Sequence, residues 1–146
     1  METQSGIKTV IVEDSIPTRR MLRARLETLG CTIVGEAENP AQGLKLFREL
    51  EPQIVTLDLI MPQVDELNTE GLFKIIREEK PKTSVIVISS SSKAMTAMSY
   101  LSQGAIAYLE KPFVNFDQIR DKLDFLYPEM TSRRGTRAPA ASSLLK

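Results

Sequence analysis

The chain of 146 residues contains no histidine and a single cysteine, Cys31. The absence of histidine excludes a Ser-His-Asp triad, a histidine general base, histidine metal ligands and a phosphohistidine on this chain. One cysteine cannot form an intramolecular disulfide, which is typical of proteins in the reducing cytoplasm. Any chemistry must therefore rest on carboxylates, hydroxyls and lysine.

Long apolar runs and net charge are also missing. No stretch approaches the length of a membrane span, and the N-terminal METQSGIKTV lacks the apolar region of a signal peptide. The 19 basic and 19 acidic residues balance, so we expect neither nucleic-acid binding by the whole chain nor membrane insertion. With 42% hydrophobic residues, the composition is typical of one soluble domain with a core of its own.

Strand-like and helix-like stretches alternate along the chain. The strand-like stretches are residues 7–12, 32–37, 54–57, 85–88 and 105–109. Each is followed by a stretch with apolar residues at helical spacing, so the pattern predicts an α/β fold with five parallel strands covered by five helices on both faces. The globular domain is predicted over residues 6–127. Residues 128–146 are small, polar and basic without periodicity, and they are predicted to form a flexible tail.

The helix predicted over residues 93–103 has two sets of apolar residues. The set predicted to face the core is Ala94, Met98 and Leu101. The set predicted to widen the exposed apolar surface is Met95, Ala97 and Tyr100. Together with the last strand and the last helix, this surface is the predicted contact site for a partner protein.

Residues that can carry chemistry stand where four of the strands end. Glu13 and Asp14 follow the first strand, Asp58 ends the third, Ser89 follows the fourth and Lys111 the fifth. Because the carboxyl ends of parallel strands meet at one edge of the sheet, we expect these side chains to lie together. Each residue alone has an ordinary interpretation, such as a helix cap or a solvated loop residue. The joint pattern is what favours a site.

Three carboxylates at one edge repel one another, and burial adds a desolvation cost. A hard cation such as Mg²⁺ relieves both effects. Lys111 adds a point charge suited to an anionic oxygen, and Ser89 adds a hydroxyl donor. The sequence therefore predicts a site that holds a phosphoryl group beside a metal, with Asp58 as the nucleophile.

Other classes of protein fit these residues less well. The first strand is followed by EDSIP rather than by the hydroxyl- and glycine-rich phosphate loop of a flavin carrier. Neither GxGxxG nor GxxxxGK[ST] occurs, so a nucleotide-binding domain is not indicated. A haloacid-type phosphatase needs a second aspartate two residues after the nucleophile, where this chain has Ile60.

Four motifs resemble the receiver domain of two-component response regulators over residues 6–127. They are VIVEDS at 10–15, LDLIMP at 57–62, VIVISS at 85–90 and GAIAYLEKPF at 104–113. The resemblance is nearest to single-domain chemotaxis regulators of the CheY-like type, and it implies a flavodoxin-like sheet of strand order 2-1-3-4-5.

The resemblance also implies a role for each site residue. Asp58 is the implied phosphoacceptor, and Glu13, Asp14, Asp58 and the backbone carbonyl of Ile60 are the implied Mg²⁺ ligands. The implied switch hydroxyl is that of Ser89, and the implied switch aromatic is Tyr108. The implied lysine that stabilises the phosphoryl group is Lys111. The Lys111–Pro112 bond is implied to be cis.

The function implied is a stand-alone, cytoplasmic switch that catalyses only its own phosphorylation and dephosphorylation. Its implied phosphodonor is a sensor histidine kinase, and its implied target is a protein such as a flagellar switch component. A phosphorelay intermediate or an adaptor outside chemotaxis is the alternative. Two departures from the family pattern stand out: the loop over residues 63–70 is longer than usual, and Ile60 is apolar where many relatives carry a polar residue.

Overall fold

The computed structural model describes residues 6–61, 64–89, 94–111 and 116–131. The strands are β1 Ile7–Val12, β2 Cys31–Ala37, β3 Ile54–Asp58, β4 Ser84–Ser89 and β5 Ala107–Glu110. The helices are α1 Ile16–Thr28, α2 Pro40–Leu50, α3 Thr69–Glu79, α4 Ala94–Ser102, α5 Phe116–Leu126 and α6 Pro128–Thr131.

The five strands form one sheet in the order β2-β1-β3-β4-β5, and every neighbouring pair is parallel. All residues of β3 and β4 are buried, as expected for strands covered on both faces. The more polar β2 lies at an edge. The predicted fold class and strand order are confirmed.

Each face of the sheet has its own hydrophobic core. One core joins β1 and β4 to α1 and α5 and contains Leu22, Leu26 and Ile119. The other joins the opposite face to α2, α3 and α4 and contains Phe47 and Leu72. Because both faces are covered, only the two ends of the sheet leave strand termini open to ligands.

Polar caps begin the helices directly after the strands. Ser15 accepts a hydrogen bond from the Thr18 amide at 3.4 Å before α1, and Asn39 accepts one from the Gln42 amide at 2.8 Å before α2. Such caps satisfy amide groups that have no partner within the helix. The short turns that result hold the ends of the strands in fixed positions.

The core face of α4 differs from the prediction. Ala97 and Tyr100 are buried, with 2% and 9% exposure, whereas Met98 and Leu101 are 65% and 40% exposed. The sequence predicts the reverse for these four residues. The physical reason is Phe73 of α3, whose ring meets the Tyr100 ring edge-on at 4.9 Å between centroids. The side chains of the other two residues, 94 and 95, lie outside the described part of the structure.

The C-terminal end of the domain also extends beyond the predicted limit. The predicted tail begins at Pro128, but Pro128–Thr131 form the short helix α6. The Tyr127 hydroxyl donates to the Gln53 carbonyl oxygen at 3.2 Å and lies 2.8 Å from the Ser84 hydroxyl, and Thr131 is buried. A partly buried tyrosine hydroxyl is stabilised by such partners, and proline is well tolerated in the first turn of a helix. Residues 132–146 lie outside the described residues.

Candidate functional site

The structure brings the predicted site residues to the carboxyl edge of the sheet. Backbone hydrogen bonds continue between strands just past their ends: the Glu13 amide donates to the Ala37 oxygen, and the Lys111 amide donates to the Ser89 oxygen, each at 2.9 Å. Glu13 and Asp58 are buried, with 0% and 2% exposure, while Asp14 is exposed.

Three carboxylates form the centre of the site. One oxygen each from Glu13, Asp14 and Asp58 lies within 4.8 Å of the others. The Lys111 ammonium lies 3.4 Å from Asp58 Oδ2 and 3.5 Å from Glu13 Oε1. Among the described residues, Lys111 thus pairs with the two buried acids of the cluster, Glu13 and Asp58.

Glu13 is the acid that this environment affects most. Burial is the main reason that its pKa rises from 4.5 to about 7. Repulsion from Asp58 acts in the same direction, while the Ser15 amide, which donates to Glu13 Oε2 at 3.0 Å, and the Lys111 charge oppose it. Glu13 therefore binds a proton at neutral pH more readily than an ordinary glutamate.

These residues fit a magnesium ion. Glu13 Oε1 is buried and makes no hydrogen bond within the described part of the chain. A buried acceptor with no hydrogen bond, and only an ion pair to Lys111 at 3.5 Å, is costly to keep, and a cation bound by the three carboxylates would satisfy it. Mg²⁺ prefers such hard oxygen ligands and keeps part of its water shell. The exposed Asp14 leaves one side of the cluster open for that water.

Asp58 is held at three atoms. Its Oδ1 accepts a hydrogen bond from the Ile60 amide at 3.1 Å, and its Oδ2 accepts one from Lys111. Its backbone oxygen accepts a hydrogen bond from the Thr69 hydroxyl at 3.1 Å. The Ile60 amide therefore lies beside the Asp58 carboxylate, and the role of the Ile60 carbonyl as a metal ligand stays a prediction. Thr69 is a contact that the sequence does not reveal, because it depends on the path of the long loop.

That loop contains a tight turn at its tip. Val64 and Leu67 exchange two backbone hydrogen bonds, of 3.2 and 3.0 Å. Asp65 and Glu66 lie between them with φ of 55° and 60°, a left-handed conformation that is uncommon for residues other than glycine. The extra residues thus form a miniature hairpin with two exposed acids at its tip. Pro62 and the residue after it lie outside the described chain.

The two predicted switch residues lie on neighbouring strands. Ser89 is 1% exposed, and its hydroxyl has no hydrogen bond within the described residues. This hydroxyl lies at the end of β4, whose neighbour β3 ends at Asp58. Tyr108 of β5 pairs with Val87 of β4 and is half-buried, and burial, followed by the Glu110 charge, raises its pKa. The Lys111–Pro112 bond, predicted to be cis, involves a residue outside the described part of the structure.

The chain is thus a doubly wound α/β domain with an acidic cluster and a lysine at the carboxyl edge of its sheet. The response regulator receiver domain family matches residues 9–124, and the chain belongs to that family. Receiver domains are phosphoacceptor switches that generally bind Mg²⁺ and that operate with a histidine kinase and a downstream effector. The predicted family is confirmed.

The relatives of this chain include proteins of different overall length. The chemotaxis protein CheY of Listeria monocytogenes is 31% identical over 118 residues, which cover 81% of this chain and 96% of that protein. A protein-glutamate methylesterase/protein-glutamine glutaminase of Hahella chejuensis is 37% identical over 105 residues, which cover 70% of this chain. The chain spans only 29% of that relative's length.

The solved structures agree on the fold. The receiver domain of AraT, a response regulator from Geobacillus stearothermophilus, superposes with a TM-score of 0.73 at 23% identity, covering 84% of this chain and 95% of that one. The response regulator domain of Thermotoga maritima CheB gives a TM-score of 0.61 at 25% identity, covering 87% and 97%. Among the helices described for this chain, none has the length and apolar character needed to cross a membrane.

Proposed function

We propose that this receiver accepts a phosphoryl group on Asp58 from a sensor histidine kinase, in a Mg²⁺-dependent reaction in the cytoplasm. The observation that carries the proposal is the position of the Asp58 carboxylate, 2% exposed and 3.4 Å from Lys111 within the three-acid cluster. A carboxylate between a lysine and a cation site is suited to attack a phosphorus atom.

In the proposed reaction, an Asp58 oxygen attacks the phosphorus of a phosphohistidine, and the phosphorus–nitrogen bond breaks as the new phosphorus–oxygen bond forms. Lys111 neutralises the negative charge that arrives on the phosphoryl oxygens. Glu13, Asp14, Asp58 and the Ile60 carbonyl would hold Mg²⁺, which supplies charge stabilisation to the transferring group when bound. The Ser89 hydroxyl then donates to a phosphoryl oxygen, and Tyr108 responds as the switch aromatic.

Output is proposed to occur through protein contact at the surface of α4, β5 and α5. Met98 and Leu101 of α4 are 65% and 40% exposed, and Phe125 of α5 is 83% exposed. Exposed apolar side chains of this size are typical of interaction surfaces when they are close together. The similarity to chemotaxis protein CheY supports a target in chemotaxis, such as a flagellar switch component.

A phosphorelay intermediate or a signalling adaptor outside chemotaxis is the second candidate. It is favoured by the similarity to the probable C4-dicarboxylate response regulator DctR of Bacillus subtilis, which is 31% identical over 118 residues. The chain spans 50% of that protein. The two candidates share the chemistry at Asp58 and differ in what receives the signal.

The chemistry is tested by incubating the protein with a small phosphodonor, with Mg²⁺ or EDTA, and measuring the intact mass. The wild type should gain one base-labile phosphoryl group only with Mg²⁺, and Asp58→Asn should gain none, because an amide is a poor nucleophile. Asp65→Asn, at the exposed tip of the hairpin, is the control and should be labelled normally. One phosphoryl group on Asp58→Asn would show that the acceptor is another residue.

The output is tested by capture of a purified flagellar switch protein with and without phosphodonor. Binding should increase on phosphorylation and should be lost in Met98→Glu. Met21→Glu is a matched control, since Met21 is a methionine of similar exposure, 45%, on α1. Phosphate-independent binding, or transfer of the phosphoryl group to a histidine phosphotransfer protein instead, would favour the second candidate.

A further inference from the structure

Arg19 connects helix α1 to the acidic end of β1. Its Nη1 donates to the backbone oxygen of Glu13 at 2.8 Å, and its Nε donates to Glu36 Oε1 of β2 at 3.1 Å. The side chain is only 17% exposed. The guanidinium is thus held by two partners, the Glu13 backbone just past the end of β1 and the Glu36 side chain of β2.

The Glu13 oxygen that Arg19 contacts belongs to the peptide group joining Glu13 to Asp14. That group is planar, so the direction of its carbonyl fixes the direction in which the chain continues to Asp14. The Glu13 amide is held as well, because it donates to the Ala37 oxygen at 2.9 Å. The backbone of Glu13 is therefore held on both sides, by Ala37 at its amide and by Arg19 at its carbonyl. This backbone segment carries Glu13 and Asp14, two of the three acids.

Glu36 holds Arg19 in place and balances its charge. Glu36 also pairs with Arg23, which in turn pairs with Glu27 at 3.2 Å. Because Glu36 lies against the Arg19 guanidinium, Arg19 places little net positive charge beside the cluster. An arginine can therefore support a cation site without strongly repelling the cation.

We propose that Arg19 is a positioning residue, which fixes the Glu13–Asp14 peptide in the geometry that Mg²⁺ binding requires. The inference rests on the proposed function, because it assumes that the three-acid cluster binds Mg²⁺. Groups that orient the ligands of a metal typically change its affinity by about 10- to 100-fold when they are replaced. Here the effect is transmitted through one backbone carbonyl, so about 10-fold is expected.

The test compares Mg²⁺ dissociation constants, measured by calorimetry, with stability in EDTA, measured by urea unfolding. Arg19→Gln should weaken Mg²⁺ binding about 10-fold. Arg19→Lys keeps the charge and one donor, so it should recover part of the affinity. Arg23→Gln is the matched control: it removes the other arginine from Glu36 without a contact to Glu13, and it should leave the dissociation constant unchanged.

The sign of the change separates positioning from simple electrostatics. Loss of a positive charge near a cation site should by itself strengthen Mg²⁺ binding, so weaker binding by Arg19→Gln can come only from lost geometry. Lower stability in EDTA with wild-type Mg²⁺ affinity would overturn the inference and leave Arg19 a structural role. Equal weakening in Arg23→Gln would also overturn it. If Arg19→Gln does not fold, Arg19→Lys provides the comparison.

A failure of the proposed function would look different. A wild-type protein that binds no Mg²⁺ would overturn the proposed function together with this inference. If the wild type binds Mg²⁺ and both Arg19 variants bind it as tightly as the wild type does, the inference about Arg19 is overturned and the proposed function stands.

Discussion

Replacing Glu13 by glutamine should stabilise the metal-free protein at alkaline pH and leave it nearly unchanged at acidic pH. Glu13 is fully buried beside Asp58, and its pKa rises to about 7 from 4.5. Glutamine has almost the same shape and can still accept the hydrogen bond that the Ser15 amide donates, but it carries no charge at any pH. The substitution therefore isolates the cost of ionising this one carboxyl.

The size of the effect follows from the pKa. A rise from 4.5 to about 7 corresponds to about 3 kcal/mol of stability. Since the folded protein binds the proton more tightly than the unfolded chain, this stability is fully present below pH 4.5 and is lost as the pH rises through about 7. The pairing with Lys111 already contributes to this pKa, so we expect the glutamine variant to gain about 2.5 kcal/mol at pH 8.

The assay is urea unfolding of both proteins in EDTA at pH 5 and at pH 8. The wild type should lose about 2.5 kcal/mol of stability from this group between the two pH values, and the variant should not. Other titrating groups are common to both proteins and cancel in the difference. Adding Mg²⁺ should stabilise the wild type more at pH 8 than at pH 5, because the metal requires the deprotonated carboxylate.

A difference in stability between the two proteins that is the same at pH 5 and pH 8 would refute this reasoning. It would mean that Glu13 ionises as easily in the folded protein as in the unfolded chain. A variant that is stabilised by Mg²⁺ as strongly as the wild type would separately show that Glu13 is not a metal ligand.

Three further predictions concern other parts of the chain. Ile60→Asn should speed loss of the phosphoryl group after donor removal without changing Mg²⁺ affinity, because a polar side chain beside Asp58 can align the attacking water; equal or slower decay would contradict this. Gly104→Ala should destabilise the fold by about 1–2 kcal/mol in urea unfolding, because Gly104 has a φ of 114° and an added Cβ would lie 2.5 Å from the Arg77 side chain. Unchanged stability would show that the backbone at Gly104 and the Arg77 side chain adjust at no cost. Deleting residues 132–146 should change neither phosphorylation nor melting temperature. Deletion from Tyr127 onward should instead lower the melting temperature, because the contacts of the Tyr127 hydroxyl with Gln53 and Ser84 are lost.

The sheet and the site residues follow from the sequence because both depend on local patterns. Buried parallel strands are short runs of branched aliphatic residues, and a charged or hydroxyl residue ends four of them here. Parallel pairing then brings the strand ends to one edge, so Asp58 and Lys111 meet although they lie 53 positions apart in the sequence. No detail of side-chain packing is needed for that inference.

The contacts of Arg19 and Thr69 could not be predicted in the same way. Each of these side chains bonds to a backbone oxygen, of Glu13 and Asp58 respectively. Every residue has a backbone oxygen, so the acceptors of these two hydrogen bonds cannot be recognised from residue type. Nothing in the sequence therefore distinguishes Arg19 and Thr69 from ordinary surface arginines and threonines. They become visible only when the direction of α1 and the path of the long loop are known.

Helix α4 shows where periodicity itself is insufficient. Apolar residues occur around much of its circumference, so at 3.6 residues per turn more than one face qualifies as the core face. What decides between the faces is a neighbour: Phe73 of α3 offers a ring edge to Tyr100, and burying that large aromatic ring turns Met98 and Leu101 outward. The proposed contact surface therefore remains on α4, but its apolar residues are Met98 and Leu101. A substitution at Ala97 or Tyr100 should lower the stability of the fold, because both side chains lie in the core, and should not act directly on partner binding.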